Sequence, residues 1–271
     1  FVGGTVYVSA STVAGSMAAL KAVSDDYNPG ASGVAGDSAG ALVLKGDVVM
    51  LLDAAADSVM AQDLLLLSTR TSGLVDATGA ETIVGDVGAM VALAGDSVGT
   101  GTGGVALASN ATVALVSGSS ILADSVLTLD GLYAGKVVVP ASTVTGAMGK
   151  LLDVTAADTA GTVDLRADVD LVLSSGAGSV SAADLITLDG RTAGEVYANA
   201  ATTIVGSLSA VQTVVVADSG SSAAIDVDAA TVSVVVTDTS ELLADSLNDL
   251  DAYFVGGTVY VSASTVAGSM A

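Results

Sequence analysis

The chain repeats itself, and that limits the folds open to it more than any other feature. Residues 1–18 read FVGGTVYVSASTVAGSMA, and residues 254–271 read the same. Eighteen identical residues at an offset of 253 mark a tandem array. The sequence reads as a window on one 253-residue period with the start of the next. Repeats come before any other reading, because a missed period misassigns the whole fold.

The period divides again. One segment starts at Gly4, Gly73, Gly135 and Gly194 and restarts at Gly257, with spacings of 69, 62, 59 and 63 residues. A second segment lies between these, and its aspartates Asp63, Asp124, Asp184 and Asp245 fall 61, 60 and 61 residues apart. The expected organisation is four quarter-repeats, 1–70, 71–132, 133–191 and 192–253, with 254–271 opening the next period. The first quarter is longest because of an insertion at about 24–40 (SDDYNPGASGVAGDSAG from Ser24).

Composition fits many thin layers better than one bulky core. Hydrophobic residues make up 51% of the chain, yet aromatics are 3% and Trp is absent. Ala, Val and Leu supply the apolar content. No apolar run approaches the roughly 18 residues a membrane-spanning helix needs. The longest, such as 137–141 or 64–67, are strand-sized. A transmembrane barrel needs aromatic girdles, and two Phe and six Tyr do not supply them.

Period-two alternation predicts short strands around Val6 and Val8, Val137 and Val139, Val163 and Leu165, Ile225 and Val227, and Val232 to Val236. Spacings of three predict short helices through Met17, Leu20 and Val23, through Val87, Met90 and Leu93, and through Leu208, Val211 and Val214. Ser181 is placed to cap a helix with Asp184 at its third position, and Asp238 with Glu241 to do the same before Leu242 and Leu243. Helices of two or three turns are marginal alone and need a sheet to lean on. A unit of short strands and short helices buries its apolar face only by stacking on a neighbour. The expected fold is a β-rich solenoid, parallel β-helix-like with short helical turns. The alternative is a string of small β-sandwich modules, for which the quarters are short.

Three phrases carry a resemblance: VSAADLITLDG from Val180, TAGEVYANAATTIVGS from Thr192 and TVSVVVTDTSELLADSLNDLDA from Thr231. They resemble the degenerate repeats of giant bacterial cell-surface and extracellular proteins, including large cyanobacterial ones. The resemblance runs through all four quarters. It implies a secreted, solenoid-like, very long protein of surface layers, adhesion, motility or fibres, and it brings no catalytic residues.

The charge balance points the same way. Asp plus Glu number 29 against 7 Lys plus Arg, a net charge of −22. Nucleic acid is excluded as a partner, since its binders need a basic footprint. Acidity keeps an apolar-rich rod soluble. Cysteine is absent, so no disulfide forms. The expected partners are further copies of the same repeat, in the same chain or in neighbouring chains.

Motifs that could carry chemistry are few. GDSAG at 36–40 matches a nucleophile elbow at Ser38, but the chain has no histidine to act as base. Lys45 is the one substitute in range, and the flanks read as loop. GTGTGG at 99–104 matches a dinucleotide fingerprint, but strand-like sequence comes after it where a helix must open. Asn110-Ala-Thr is a single glycosylation sequon. No cofactor is expected, with calcium as the alternative. Its candidate ligands are Asp164, Asp168 and Asp170, and Asp226 and Asp228, beside a further acidic group at Asp245, Asp249 and Asp251. Calcium takes six to eight oxygens, which turn carbonyls and several aspartates supply. The nonapeptide of calcium-binding β-rolls and the EF-hand loop are both missing. The competing reading is that these carboxylates cap turns and solvate the surface.

The functional expectation is a non-catalytic structural repeat of a long extracellular or cell-surface fibre or adhesin. The alternatives are a passive stalk presenting a separate head domain, and a polysaccharide-active β-helix enzyme. Insertions in solenoids map to one face, so the segment at 24–40, with Tyr27 and Pro29, is expected to project toward a neighbouring fibre.

Overall fold

A computed structural model describes residues 6–25, 42–53, 58–96, 103–116, 118–219 and 224–268. The insertion from residue 26 onward and Ser38 lie outside these described residues. In the first part of the chain the elements are β1 (Val6–Val8), β2 (Thr12–Gly15), α1 (Met17–Asp25), β3 (Leu42–Leu44), β4 (Val49–Leu52), β5 (Ser58–Met60) and α2 (Ala61–Arg70). Then come β6 (Val75–Ala77), β7 (Thr82–Gly85), α3 (Val87–Asp96), β8 (Val105–Leu107), β9 (Thr112–Leu115), β10 (Ser120–Leu122) and α4 (Ala123–Leu132). They are succeeded by β11 (Val137–Val139), β12 (Thr143–Gly146), α5 (Met148–Ala160), β13 (Val163–Leu165), β14 (Asp170–Leu173), β15 (Gly178–Ser181) and α6 (Ala182–Asp189). The last are β16 (Val196–Tyr197), β17 (Ala201–Gly206), α7 (Leu208–Ser219), β18 (Ile225–Asp226), β19 (Ser233–Val236), β20 (Leu242–Leu243), α8 (Ala244–Tyr253), β21 (Val259–Val261) and β22 (Val266–Ala267).

The element order recurs. Two strands and a helix, then three strands and a helix, run from β6 to α4, from β11 to α6 and from β16 to α8. Each round starts two residues after Gly73, Gly135 or Gly194, and β21 comes after Gly257 in the same way. The fold is α/β, with several parallel sheets and eight helices among the described residues, and it is not closed into a barrel. The β-rich expectation is corrected to this extent: the helices are 8–13 residues long, elements in their own right. Every strand pairing described is parallel, which a sandwich of antiparallel sheets does not use.

The chain divides into two compact units, Phe1–Val116 with Thr128–Val138, and Ser117–Leu127 with Val139–Ala271. Within the first, β2 pairs with β4, β4 with β6 and β6 with β8, while β5 pairs with β7, β7 with β9 and β9 with β11. Within the second, β14 pairs with β16 and β16 with β18, while β15, β17, β19 and β21 form a four-stranded sheet. The logic is one rule. A three-strand round pairs backward through its first two strands and forward through its last two. In the second unit, β18 and β19 look back to β16 and β17, whereas β19 and β20 look forward to β21 and β22. Each three-strand round therefore ends one sheet and begins another.

Alternation of side chains makes the core. Val59, Ile83, Val113 and Val137 stand in one register column of the first unit, each at most 3% exposed. Val144, Leu171, Val196 and Ile225 form the matching column in the second, all fully buried. Ser58, Thr82 and Thr112, and Thr143 and Asp170, stand beside these columns at exposed or half-buried positions, as the pleat requires. Stacked strands lie about 4.8 Å apart, so Val, Ile and Leu fill a column that bulky aromatics would wedge open. Helices α2 to α7 each add a minimal apolar stripe: Leu64 and Leu67, Met90 and Leu93, Val126 and Leu129, Leu151 and Val154, Leu185 and Leu188, and Val211 and Val214 are all fully buried. The run at 64–67 is thus part of helix α2, not a strand; four successive leucines hide the three-residue spacing that the buried pair obeys.

Candidate functional site

The calcium candidates lie on one stretch of the second unit, and Asp168, Asp170, Asp226 and Asp228 accept hydrogen bonds in turns and between strands. Asp168 sits in the turn after β13, where Arg166 donates to both of its oxygens at 2.9 and 2.7 Å. That guanidinium holds the Asp168 carboxyl below the usual carboxylate range. Asp170 opens β14 and accepts the backbone N–H of Glu195 at 3.0 Å. Asp226, at the end of β18, accepts Asn199 Nδ2 at 2.6 Å. Asp228 accepts the N–H of Ala230 at 3.2 Å and the hydroxyl of Thr231 at 2.8 Å. Asp164 is central in β13. Asp245, Asp249 and Asp251 are in helix α8. Among the described residues no three carboxylates come together in a group fit to hold a metal ion.

The other motifs also resolve. Gly103 and Gly104, with φ of 91° and 110°, lead into strand β8, so no helix N-terminus opens where a dinucleotide phosphate would sit. Asn110 is exposed in the turn between β8 and β9, beside a groove also lined by Thr78, Glu81 and Thr112. No described helix is long and apolar enough to cross a membrane.

What the structure does build, over and over, is a stacking surface between successive rounds. Two sets of glycines define it. The first is the set that opens the recurring segment. A Cβ at Gly73 would stand 2.3 Å from the Val48 carbonyl oxygen, at Gly135 2.0 Å from that of Ala111, at Gly194 2.4 Å from that of Val169, and at Gly257 1.7 Å from that of Val232. Any side chain there collides with backbone of the round behind. The second set ends a strand, as Gly85, Gly146 and Gly206 do, or directly follows one, as Gly268 does. A Cβ on these would meet the Cβ of Ala61, Ala123, Ala182 and Ala244 at 2.8–3.0 Å. Those four alanines are the first residues of α2, α4, α6 and α8. Glycine thus packs on alanine where each strand pair meets the helix of the round behind.

Polar groups fasten the same surface. The Thr71 hydroxyl donates to Val48 O at 2.6 Å and accepts the Gly73 N–H at 2.9 Å. Thr192 does the same with Val169 O, at 2.5 Å, and the Gly194 N–H, at 2.9 Å. Tyr133 takes the equivalent place in its round, and its phenol donates to Met90 O at 2.6 Å; burial pushes its pKa up to about 12. Helix starts are capped by Ser16, Asp86, Ser181 and Ser207, whose side-chain oxygens accept the N–H three residues on. The Ser181 cap is the one expected. The Asp238 cap is corrected: Leu242 and Leu243 form strand β20, and Asp238 instead accepts the N–H of Leu208 at 2.6 Å, at the start of α7 in the round behind. A carboxylate suits that positive helix end. Two long-range lysine pairs, Lys21 with Asp63 at 2.6 Å and Lys150 with Asp124 at 3.2 Å, join successive helices.

Neither protein-family profiles, nor curated protein sequences, nor solved structures give a match to the chain.

Proposed function

We propose that the chain is a structural, non-catalytic stretch of a very long extracellular or cell-surface bacterial fibre or adhesin. Its rounds stack as a β-solenoid that continues from one 253-residue period into the next. One observation carries the reading: 259–268 have the sequence of 6–15, and they pair backward onto β19 and β20 just as interior rounds pair onto theirs. The ladder is still being extended when the sequence begins again. A net charge of −22 supports exposure to solvent along a long surface, and the absence of cysteine leaves stability to stacking alone. The spacer-stalk reading shares this architecture and differs only in what lies outside it.

Electron microscopy of a chain carrying two or more periods tests the proposal. Eight helix-closed rounds per period at about 4.8 Å each give an axial repeat of roughly 40 Å, rising to about 60 Å if each quarter contributes three coils. A continuous rod of even width with such a repeat supports the fibre. Discrete beads joined by thin connections would sink it.

A further inference from the structure

The turns between the strands of each round hold their polar residues by bonds. Asp47 takes the Lys45 ammonium at 2.9 Å, Asp76 accepts the Thr78 hydroxyl at 2.7 Å, and Asp168 holds Arg166 at 2.7 Å. Asn199 donates to Asp226 at 2.6 Å, and Asp228 accepts the Thr231 hydroxyl at 2.8 Å. Asn110 differs. It stands third in a turn closed by the Ala111 N–H on Ala108 O at 3.1 Å, a position that suits asparagine. It is exposed, and among the described residues nothing bonds its side-chain amide.

Beside Asn110 is a groove of about 450 Å³, within the range of small-ligand sites. Two successive turns of the first unit form it, and the Thr112 N–H ties them by donating to Glu81 O at 2.9 Å. Its polar lining is Thr78, Glu81, Asn110 and Thr112, and the rest is glycine and alanine, which leave the space open. Among the described residues the side chains of Glu81 and Thr112 are also without a bonding partner. A carboxylate accepts hydroxyl donors, and a threonine hydroxyl both donates and accepts. The lining therefore suits a ring rich in hydroxyls. Residues 110–112 are at the same time an acceptor sequence for an N-linked sugar, which requires an asparagine at the surface and a hydroxyl two residues on. Asn199, in the corresponding turn of a later round, has Ala201 at that place.

We infer that Asn110 is an N-glycosylation site and that its first sugar lies in this groove, over Glu81 and Thr112. The new bond joins Asn110 Nδ2 to the anomeric carbon of a sugar activated as a phosphate or pyrophosphate ester. The bond from that carbon to the phosphate oxygen breaks, the phosphate leaves with the electron pair, and the amide nitrogen gives up one proton to water. An external transferase brings the donor, and nothing is oxidised or reduced. The inference rests on the reading of an exported chain. It adds that each 253-residue period carries one bulky, hydrophilic group at a fixed corner.

Trypsin cuts after Arg70 and Lys136, so residues 71–136 come away as one peptide in which Asn110 is the sole asparagine. In the full chain isolated from its native source, fragmentation mass spectrometry is expected to place a saccharide on Asn110. It should survive alkaline β-elimination, which strips sugars from Ser and Thr. Asn110→Gln and Thr112→Val should each abolish it, and Thr112→Ser should keep it. Carbodiimide labelling of the Glu81 carboxylate should run roughly fivefold more slowly in the glycosylated chain than in N110Q, since a groove covers most of what it holds. A bare peptide, or a saccharide retained in N110Q, would overturn the site. Equal labelling of Glu81 would overturn its seat in the groove. Rods in the microscope with a bare peptide would refute the modification and leave the fibre standing. Beads that carry the sugar would refute the fibre and leave the modification.

Discussion

The tetrapeptide at 143–146 (TVTG) and that at 265–268 (TVAG) do the same job at two places and differ in what stands ahead of them. Both end a strand pair on a glycine packed against the first alanine of the helix behind, Gly146 on Ala123 at 2.8 Å and Gly268 on Ala244 at 2.9 Å. Among the described residues only the first has a further strand in front, through the pairing of Val144 with Leu171. The valine that is fully buried at 144 is half exposed at 266. The lesson is that local sequence determines the shape of a round, while neighbours determine what it contributes. A strand of two to six residues has too few bonds to stand alone, and its free energy comes from being covered on both sides.

The largest effect that can break this comparison is steric. Gly135→Ala places a Cβ 2.0 Å from the Ala111 carbonyl oxygen, just before strand β11, which pairs with β9. The expected loss is about 3 kcal/mol, the upper part of the range for overpacking, read by urea unfolding. Gly257→Ala makes a tighter clash, 1.7 Å from Val232 O, but on the last strand pair among the described residues. That rung lifts off rather than straining the rest, so global stability is expected to fall by about 0–1 kcal/mol. Hydrogen exchange should show protection lost across this pairing, at Val234 and Ser262 among others, and kept in the interior ladder. Equal global losses from the two substitutions would mean that the terminal rung is not an independent edge.

Next in size is the apolar pair. Val144→Ala removes buried methyl groups from a filled column and is expected to cost about 2 kcal/mol. Val266→Ala, the same chemistry on an exposed side chain, is expected to cost less than about 0.5 kcal/mol. In a chain long enough to continue past residue 271 the second value should rise toward the first. If it does not, the ladder stops where the sequence repeats.

A polar fastener comes third. Thr192→Val keeps the shape but leaves the Gly194 N–H without the threonine hydroxyl and deprives Val169 O of a donor. The expected loss is about 1–2 kcal/mol, with the same for Thr71→Val at its own round. Thr192→Ser, which keeps the hydroxyl, should recover most of it.

Much of the fold is legible in the sequence, and the exceptions share a cause. Alternation at 137–139, 163–165 and 232–236 announces strands β11, β13 and β19, because one face of each is buried. The triplets at Met17, Val87 and Leu208 announce helices α1, α3 and α7. The recurring glycines are visible as period markers, but their reason, a carbonyl of the round behind within touching distance, belongs to stacking and not to local sequence. Asp238 misleads for the same reason: its partner Leu208 lies 30 residues back, so the sequence presents it as a local cap for Leu242 and Leu243. The calcium candidates have protein partners of their own. Asp170, Asp226 and Asp228 are near in sequence or register, yet each is already engaged by a neighbouring N–H, amide or hydroxyl. The three-strand rounds that shift pairing from one sheet to the next leave no compositional trace at all.

The smallest effect concerns a carboxylate near the end of α7. Asp218 accepts the Val227 N–H at 3.0 Å, tying the helix to the strand after it. Burial nevertheless raises its pKa above the ordinary value, with the charges of Asp226 and Glu195 adding to the rise. An acid raised in the folded state binds its proton more tightly there than when unfolded. Its charge therefore costs nothing below the ordinary carboxylate pKa of about 3.9, and costs stability as pH rises through the raised folded value. Asp218→Asn keeps an oxygen for the Val227 N–H and removes the charge. Its stability relative to the parent is expected to be unchanged or lower near pH 3.5 and to improve by a few tenths of a kcal/mol toward pH 7, small because the group is largely solvent-screened. Urea titrations at three pH values measure it. A difference that runs the other way with pH would mean that the tether to Val227, not desolvation, governs this carboxylate, and that helix-to-strand ties matter more to an interior round than the charge they bring into it.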